Sequence, residues 1–376
     1  MVLTMQQQEQ LLAASKTEAR VEKIVELGQR ICAVASPTGQ EHERAQFVAS
    51  LLRERGYQPE IDEIGNVYTR RGQRGNTPLL LVLAHTDTVF PQGTPIKIER
   101  DKDILRGPGI GDNSISVAAA ISALDLLDEL GWETNKDLVF VANVGEEGLG
   151  NLRGARAAVE RYREQLGAVI ALDGRLGSIV NEGVGSKRWR INVDGPGGHS
   201  YANFGTPSAI HGLAHIISAI ADIKVPETPK ITYNIGEIEG GTSINTIAAH
   251  ASALLDMRSN DPDALNKLSE RVQKLIEERA GKGLQASIEV LGERPAGKIS
   301  REAPLIQLAA EVLRWLGIEP RYYAASTDIN IPLSLAIPAV CVGLTQGDHE
   351  HTLKEYLKIS PIGTGFAQFV RLCLEA

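Results

Sequence analysis

Apolar residues recur at helical spacing over 21–31 (VEKIVELGQRI) and over 43–52, on either side of the turn SPTGQ. The first 55 or so residues are therefore predicted to be helical. The pattern then changes. Residues 79–84 (LLLVLA) form an unbroken apolar run of strand length, 116–130 an alanine-rich helix, 137–144 (DLVFVANV) a strand, 152–166 a helix and 168–172 (AVIAL) a strand. Continuous apolar strands separated by helices indicate a sheet covered on both faces, hence an α/β unit. After about residue 185 the strands alternate apolar and polar positions, at 188–193 (RWRINV), 232–238 and parts of 249–257. Amphipathic helices near 207–223 and 261–279 accompany them, as in a small α+β unit with helices on one side. Beyond about 297 the buried style returns with a helix at 303–316, a strand at 339–342 and a closing helix at 362–374. The pattern predicts one α/β domain, 1–184 and 298–376, interrupted by a smaller α+β domain over 185–297.

Composition narrows the function. With 376 residues, a net charge of −8 and no basic run, the chain is no candidate for non-specific nucleic-acid binding. Its three cysteines, Cys32, Cys341 and Cys373, are far apart and odd in number, which argues against a disulfide framework and for a reducing compartment. The polar N-terminus lacks a signal-peptide pattern and no apolar run has membrane-spanning length, so a cytoplasmic protein is expected.

The chemistry collects behind the apolar strands, where open α/β sheets bind ligands. His85 and Asp87 follow the run LLLVLA. Asp112 closes the glycine-rich turn GPGIGD, Glu146 and Glu147 follow DLVFVANVG, and Asp173 follows AVIAL. His349 and His351 lie in GDHEHT, after AVCVGL. Each alone reads as a structural or solvated residue. Together they place several carboxylates directly against apolar strands, where unpaired charge is costly. A divalent cation resolves that conflict. Mixed His/Asp/Glu ligation without cysteine suits Zn²⁺, with Mn²⁺ or Co²⁺ as alternatives, and the number of donors exceeds one tetrahedral shell.

The ordered set HTDTV, a glycine turn ending in Asp, GEEG, ALD and HTLKE resembles the metallopeptidase-20 family over nearly the whole chain. That resemblance implies a zinc-exopeptidase-like catalytic domain with a mixed, mainly parallel sheet, interrupted by a lid and dimerisation domain. It implies two metal ions held by His85, Asp112, Glu147, Asp173 and His351, with Asp112 shared, a cis Asp112–Asn113 peptide, and His349 as the competitor of His351. Asp87 would orient His85, and Glu146 would be the general acid/base. In the inserted domain His199 (GPGGHS) would steady an oxyanion, Asn245 (GGTSINTI) would bind substrate, and Arg258 (LLDMRS) would hold a substrate carboxylate. The implied activity is metal-dependent hydrolysis of a peptide bond by an exopeptidase of tripeptidase or carboxypeptidase type, in a homodimer. The alternatives are an N-acyl-amino-acid deacylase and a metal-binding inactive homologue. The sequence departs from the family at GDNSISV, where many relatives carry Lys or Gly soon after the bridging Asp, and at the extra histidine of GDHEHT. A phosphate-binding protein is disfavoured, because neither GPGIGD nor GEEGLG completes a dinucleotide or P-loop motif.

Overall fold

The computed structural model describes residues 2–72 and 78–376. The chain divides into two compact units, Met1–Gly183 with Lys298–Ala376, and Val184–Gly297.

In the first unit the central sheet runs in the order Glu60–Ile61, Val67–Arg71, Asp137–Asn143, Leu79–His85, Leu166–Leu172, Ala339–Val342, Ser178–Gly183, with Arg321–Ala325 beside the last. The four strands from Asp137–Asn143 to Ala339–Val342 are parallel. Val67–Arg71 and Ser178–Gly183 flank them antiparallel, so the sheet is mixed and mainly parallel. Leu79–His85 is buried at all seven positions because both faces are covered. Leu80, Val82 and Ala84 join the core formed by the N-terminal helices, Ile115–Leu130, Pro304–Trp315 and Ile362–Glu375. Leu79, Leu81 and Leu83 join the core beneath Arg153–Tyr162 and Asn330–Ser334. Period-two side-chain alternation thus serves two apolar layers, which is why the run shows no polar face. A second sheet of short strands, Gly347–Asp348, Tyr356–Lys358, Ile104–Arg106 and Glu99–Asp101, carries the C-terminal histidine loop.

Among the described residues one helix, Ile110–Leu130, is long and apolar enough to cross a bilayer, which corrects the reading that no apolar run has that length. Of its most apolar 18-residue window 83% is buried within the protein, so its apolarity is that of a core helix. All three cysteines are free and buried.

The second unit is an antiparallel sheet ordered Ile231–Gly240, His250–Ser259, Gly185–Asp194, Gln285–Arg294. Trp189, Ile191, Val193, Leu255 and Met257 pack against Leu213, Ile216 and Ile220 of the helix Ala209–Ala221 and against Leu268, Val272 and Ile276 of Pro262–Arg279. The opposite face carries Arg188, Arg190, Asp256 and Arg258, which produces the alternation seen in the sequence.

Candidate dinuclear metal centre

The strand Leu79–His85 is hydrogen-bonded on both sides, so its end is held rigidly. His85 is its last residue, and Asp87 follows with no exposed surface. The Asp87 carboxylate accepts the backbone N–H of Glu146 at 3.0 Å and of Glu147 at 2.9 Å, and the Thr38 hydroxyl at 2.9 Å. It therefore ties the turn after one strand to the turn after its neighbour. Burial pushes the Asp87 pKa up, but His85 and the two backbone amides outweigh it and hold the carboxyl below its usual range. The orienting contact to His85 differs from the expected one. His85 Nδ1 lies 3.2 Å from the main-chain oxygen of Asp87 and 3.6 Å from its carboxylate, so the carbonyl is the closer partner.

Asp112 lies in the turn Ile110–Ser114, entered through Gly109 at φ +76°, where a Cβ would sit 2.6 Å from Thr88 Cγ2. The Asp112–Asn113 peptide is cis. Asn113 Nδ2 donates to the Leu172 carbonyl at 2.9 Å, joining this turn to the strand end that precedes Asp173. Asp112 Oδ1 is 3.0 Å from His85 Nε2, and Oδ2 is 3.1 Å from His351 Nε2. One carboxylate thus faces two imidazoles. His351 Nε2 is also 3.0 Å from Glu147 Oε1.

The clustered donor atoms form two sets that share Asp112: His85, Asp112 and Asp173, and Asp112, Glu147 and His351. A third cluster, His85, Glu146 and Glu147, overlaps them. Two observations test whether cations fit. His85 Nε2 is buried and makes no hydrogen bond, although Asp112 Oδ1 is only 3.0 Å away. The two atoms are close but out of line, the disposition of two donors to a common ion. Second, negative charge exceeds what two histidines can balance. Burial and the charge of Asp112 push Asp173 up to about 7, and burial raises Glu147 in spite of His351. His85 is raised well above its usual value: its burial acts downward, but Asp112 and Asp87 overcome it. These nitrogen and oxygen donors fit a pair of divalent ions, and Asp112 is the residue common to both sets.

His349 is not in either set; its ring lies 6.0 Å from that of Tyr356. Three further residues support the site. Glu355 accepts three backbone N–H groups of the glycine turn, from Gly109 at 2.8 Å, Gly111 at 2.7 Å and Asp112 at 2.9 Å. Burial pushes it up to about 7 against those amides. Arg44, 1% exposed, donates to the carbonyls of Val34 and Thr86 at 2.8 Å each and so braces the turn behind His85. Glu41 pairs with Arg153, whose side chain passes beneath Gly145. At φ +68° a Cβ on Gly145 would lie 2.3 Å from that guanidinium, so the turn into Glu146 requires glycine. Only Glu355, four residues after His351, carried any sequence signal. A buried arginine in an amphipathic helix carries none. Beside these donor groups a cavity of about 320 Å³ is lined by Asp112, Ser116, Asp173, Arg175, Gln346 and His351 among others.

His199, Asn245 and Arg258 lie in the second unit. Gly198–His199 pairs with Thr246–Ile247, and the Asn245 carbonyl accepts the Ser200 N–H at 3.0 Å, so His199 and Asn245 are neighbours. His199 Nδ1 accepts the backbone N–H of Tyr201 at 3.2 Å and of Ala202 at 3.3 Å, which leaves Nε2 as the N–H donor. Arg258 Nε donates to Asp256 at 2.6 Å, and Asp256 also accepts Arg188 at 3.2 Å.

Comparison with known proteins agrees with this architecture. The family model described as a peptidase dimerisation domain (M20 type) matches residues 181–284, and one described as peptidase family M28 matches residues 66–183. A putative LysW-lysine/LysW-ornithine hydrolase of Pyrococcus abyssi is 26% identical over 350 residues, covering 86% of this chain and 87% of the relative. A succinyl-diaminopimelate desuccinylase of Methylobacterium radiotolerans is 26% identical over 317 residues, 77% of this chain and 80% of the relative. The crystal structure of a Bacillus subtilis dinuclear metal-binding peptidase of the M20 family superposes with a TM-score of 0.72 at 19% identity, covering 95% of this chain and 98% of that one. Fold and site define a hydrolase of amide C–N bonds with a dinuclear metal-binding architecture. The M28 match covers only the segment from the second strand of the sheet to Gly183, whereas the M20 relatives run through both units. The family models and the relatives support the metallopeptidase-20 family for this chain.

Proposed function

We propose that this chain is a dinuclear zinc exopeptidase that releases an amino acid from a small peptide. The observation that carries the reading is Asp112, whose two carboxylate oxygens each lie within 3.1 Å of a different imidazole Nε2, with Asp173 and Glu147 completing the two donor sets. When bound, the ions supply Lewis-acid polarisation of a carbonyl and acidify a water. The remaining work falls to side chains. The Glu146 carboxylate takes a proton from the attacking water as the new C–O bond forms, then returns it to the amine nitrogen as the C–N bond breaks. Asp87 holds the Glu146 and Glu147 backbone in place for this. In the homodimer His199 would reach the neighbouring subunit's site and donate from Nε2 to the oxyanion developing there, and Asn245, beside it, would bind the substrate amide. Arg258, already oriented by Asp256, takes a substrate carboxylate.

An N-acyl-amino-acid deacylase is the second reading, favoured by the desuccinylase among the relatives. A metal-binding homologue without activity is the third. One preparation separates all three. Protein purified without chelator should carry about two zinc ions per chain and should hydrolyse a panel of tripeptides, N-acyl amino acids and their C-terminal amides. Chelation should abolish activity and zinc should restore it. Preference for peptides supports the proposal, preference for acyl amino acids supports the second reading, and two ions with no turnover the third. Equal rates on the amidated substrates would remove the role of Arg258. Failure to bind any ion after zinc is added back would sink the metal centre itself. Sedimentation of the same sample tests assembly. The dimerisation-domain match and the exposed edge strand Ile231–Gly240 support a homodimer, and a monomer at micromolar concentration would exclude it. The three free thiols support a cytoplasmic location, which recovery of the native protein in an extracellular or periplasmic fraction would contradict.

A further inference from the structure

The Glu355 side chain is buried, lies outside both donor sets and has no place in the chemistry above. Its surroundings are unusual for an acid. Oε1 accepts from Gly111 and Asp112, Oε2 accepts from Gly109, and its own carbonyl accepts the Gly107 N–H at 3.1 Å. Four hydrogen bonds therefore join one residue to the turn 107–112. The adjoining segments are paired as well, with Tyr356–Lys358 antiparallel to Ile104–Arg106. Gly111 leaves room for this contact, since a Cβ there would stand 3.2 Å from Oε1. Four residues before Glu355, on the same loop, is His351, whose Nε2 faces Asp112.

We propose that Glu355 is a positioning residue that sets the Asp112 carboxylate between the two imidazoles, by holding the Asp112 backbone and fastening the His351 loop to the glycine turn. The proposal rests on the reading of Asp112 as the shared metal ligand. The physical case is that a carboxylate accepting three N–H groups fixes both the distance and the tilt of the turn. A neutral side chain cannot do so. In a glutamine the amide nitrogen would oppose the Gly109 N–H, donor against donor, while the oxygen could keep only the Gly111 and Asp112 bonds.

The test is zinc affinity of the metal-stripped chain, measured by competition with a chromophoric chelator, for wild type and Glu355→Gln, with kcat and KM measured on the reloaded proteins. Glu355→Gln is expected to remain folded, to bind zinc about 10- to 100-fold more weakly and to lose kcat with KM little changed. Leu11→Ala, in the buried face of the first helix, is the control for general destabilisation. It should lower the melting temperature and leave zinc affinity alone. Folded Glu355→Gln with wild-type zinc affinity overturns the proposal, and so does an equal affinity loss in Leu11→Ala. If Glu355→Gln does not fold, Gly111→Ala reads the same contact from the other side by displacing Oε1. Unchanged zinc affinity there has the same meaning. A wild-type chain that binds no zinc overturns the metal reading and this inference with it.

Discussion

Glu146→Gln is expected to retain two metal ions per chain and to lose kcat by about 10²- to 10⁴-fold, the contribution of a positioned general base. The substitution is isosteric, and it preserves the backbone N–H that Glu146 gives to Asp87 at 3.0 Å. Glu146 belongs to neither donor set built around Asp112, so both ions keep their ligands. The lost function is the proton acceptor: a carboxamide cannot take a proton from water at neutral pH. Two results would contradict the assignment in different ways. Wild-type turnover would remove the catalytic role. Loss of an ion would instead put Glu146 into the coordination sphere, as the overlapping cluster His85, Glu146, Glu147 would allow.

Asp112→Asn should have the larger effect on metal. Because both donor sets contain Asp112, one substitution weakens both, by about 100-fold or more, beyond what loss of an outer-shell partner causes. The amide nitrogen of asparagine would face one of the two Nε2 atoms as a donor and could not ligate. Activity should fall to background even at high zinc. Asp173→Asn is the informative comparison, since Asp173 belongs only to the set containing His85, and one strongly held ion should survive. Metal analysis of the two variants side by side checks this. Retention of two tightly held ions by Asp112→Asn would show that the carboxylate is not shared.

Much of the molecule was legible along the chain. The apolar runs at 79–84, 168–172 and 339–342 and the helical periods at 21–31, 43–52, 261–279 and 303–316 each lie inside the corresponding element or within a residue of its ends. Those elements are specified locally, by side-chain period and length. Other strands were not visible. Glu99–Asp101 is three exposed charged residues, and it is a strand only because Ile104–Arg106 lies beside it. Gln285–Arg294 alternates imperfectly because a bulge between Val290 and Gly292 shifts its register against Gly185–Asp194. Ser178–Gly183 runs antiparallel to Ala339–Val342, a partner about 160 residues away that no local pattern announces.

The same division holds at the site. From the sequence alone came the fold class, the inserted unit, and the roster of acids and histidines standing behind apolar strands, because burial next to charge leaves a mark in one dimension. The tertiary structure decided which of these groups meet. It brought His351 and not His349 to Asp112, turned the Asp87 carboxylate toward the Glu146 and Glu147 amides, and set three N–H groups of the glycine turn on Glu355. These are contacts of about 3 Å between residues as many as 246 positions apart, as between Gly109 and Glu355. Strand order and loop path set such distances, and no periodicity of the chain encodes them.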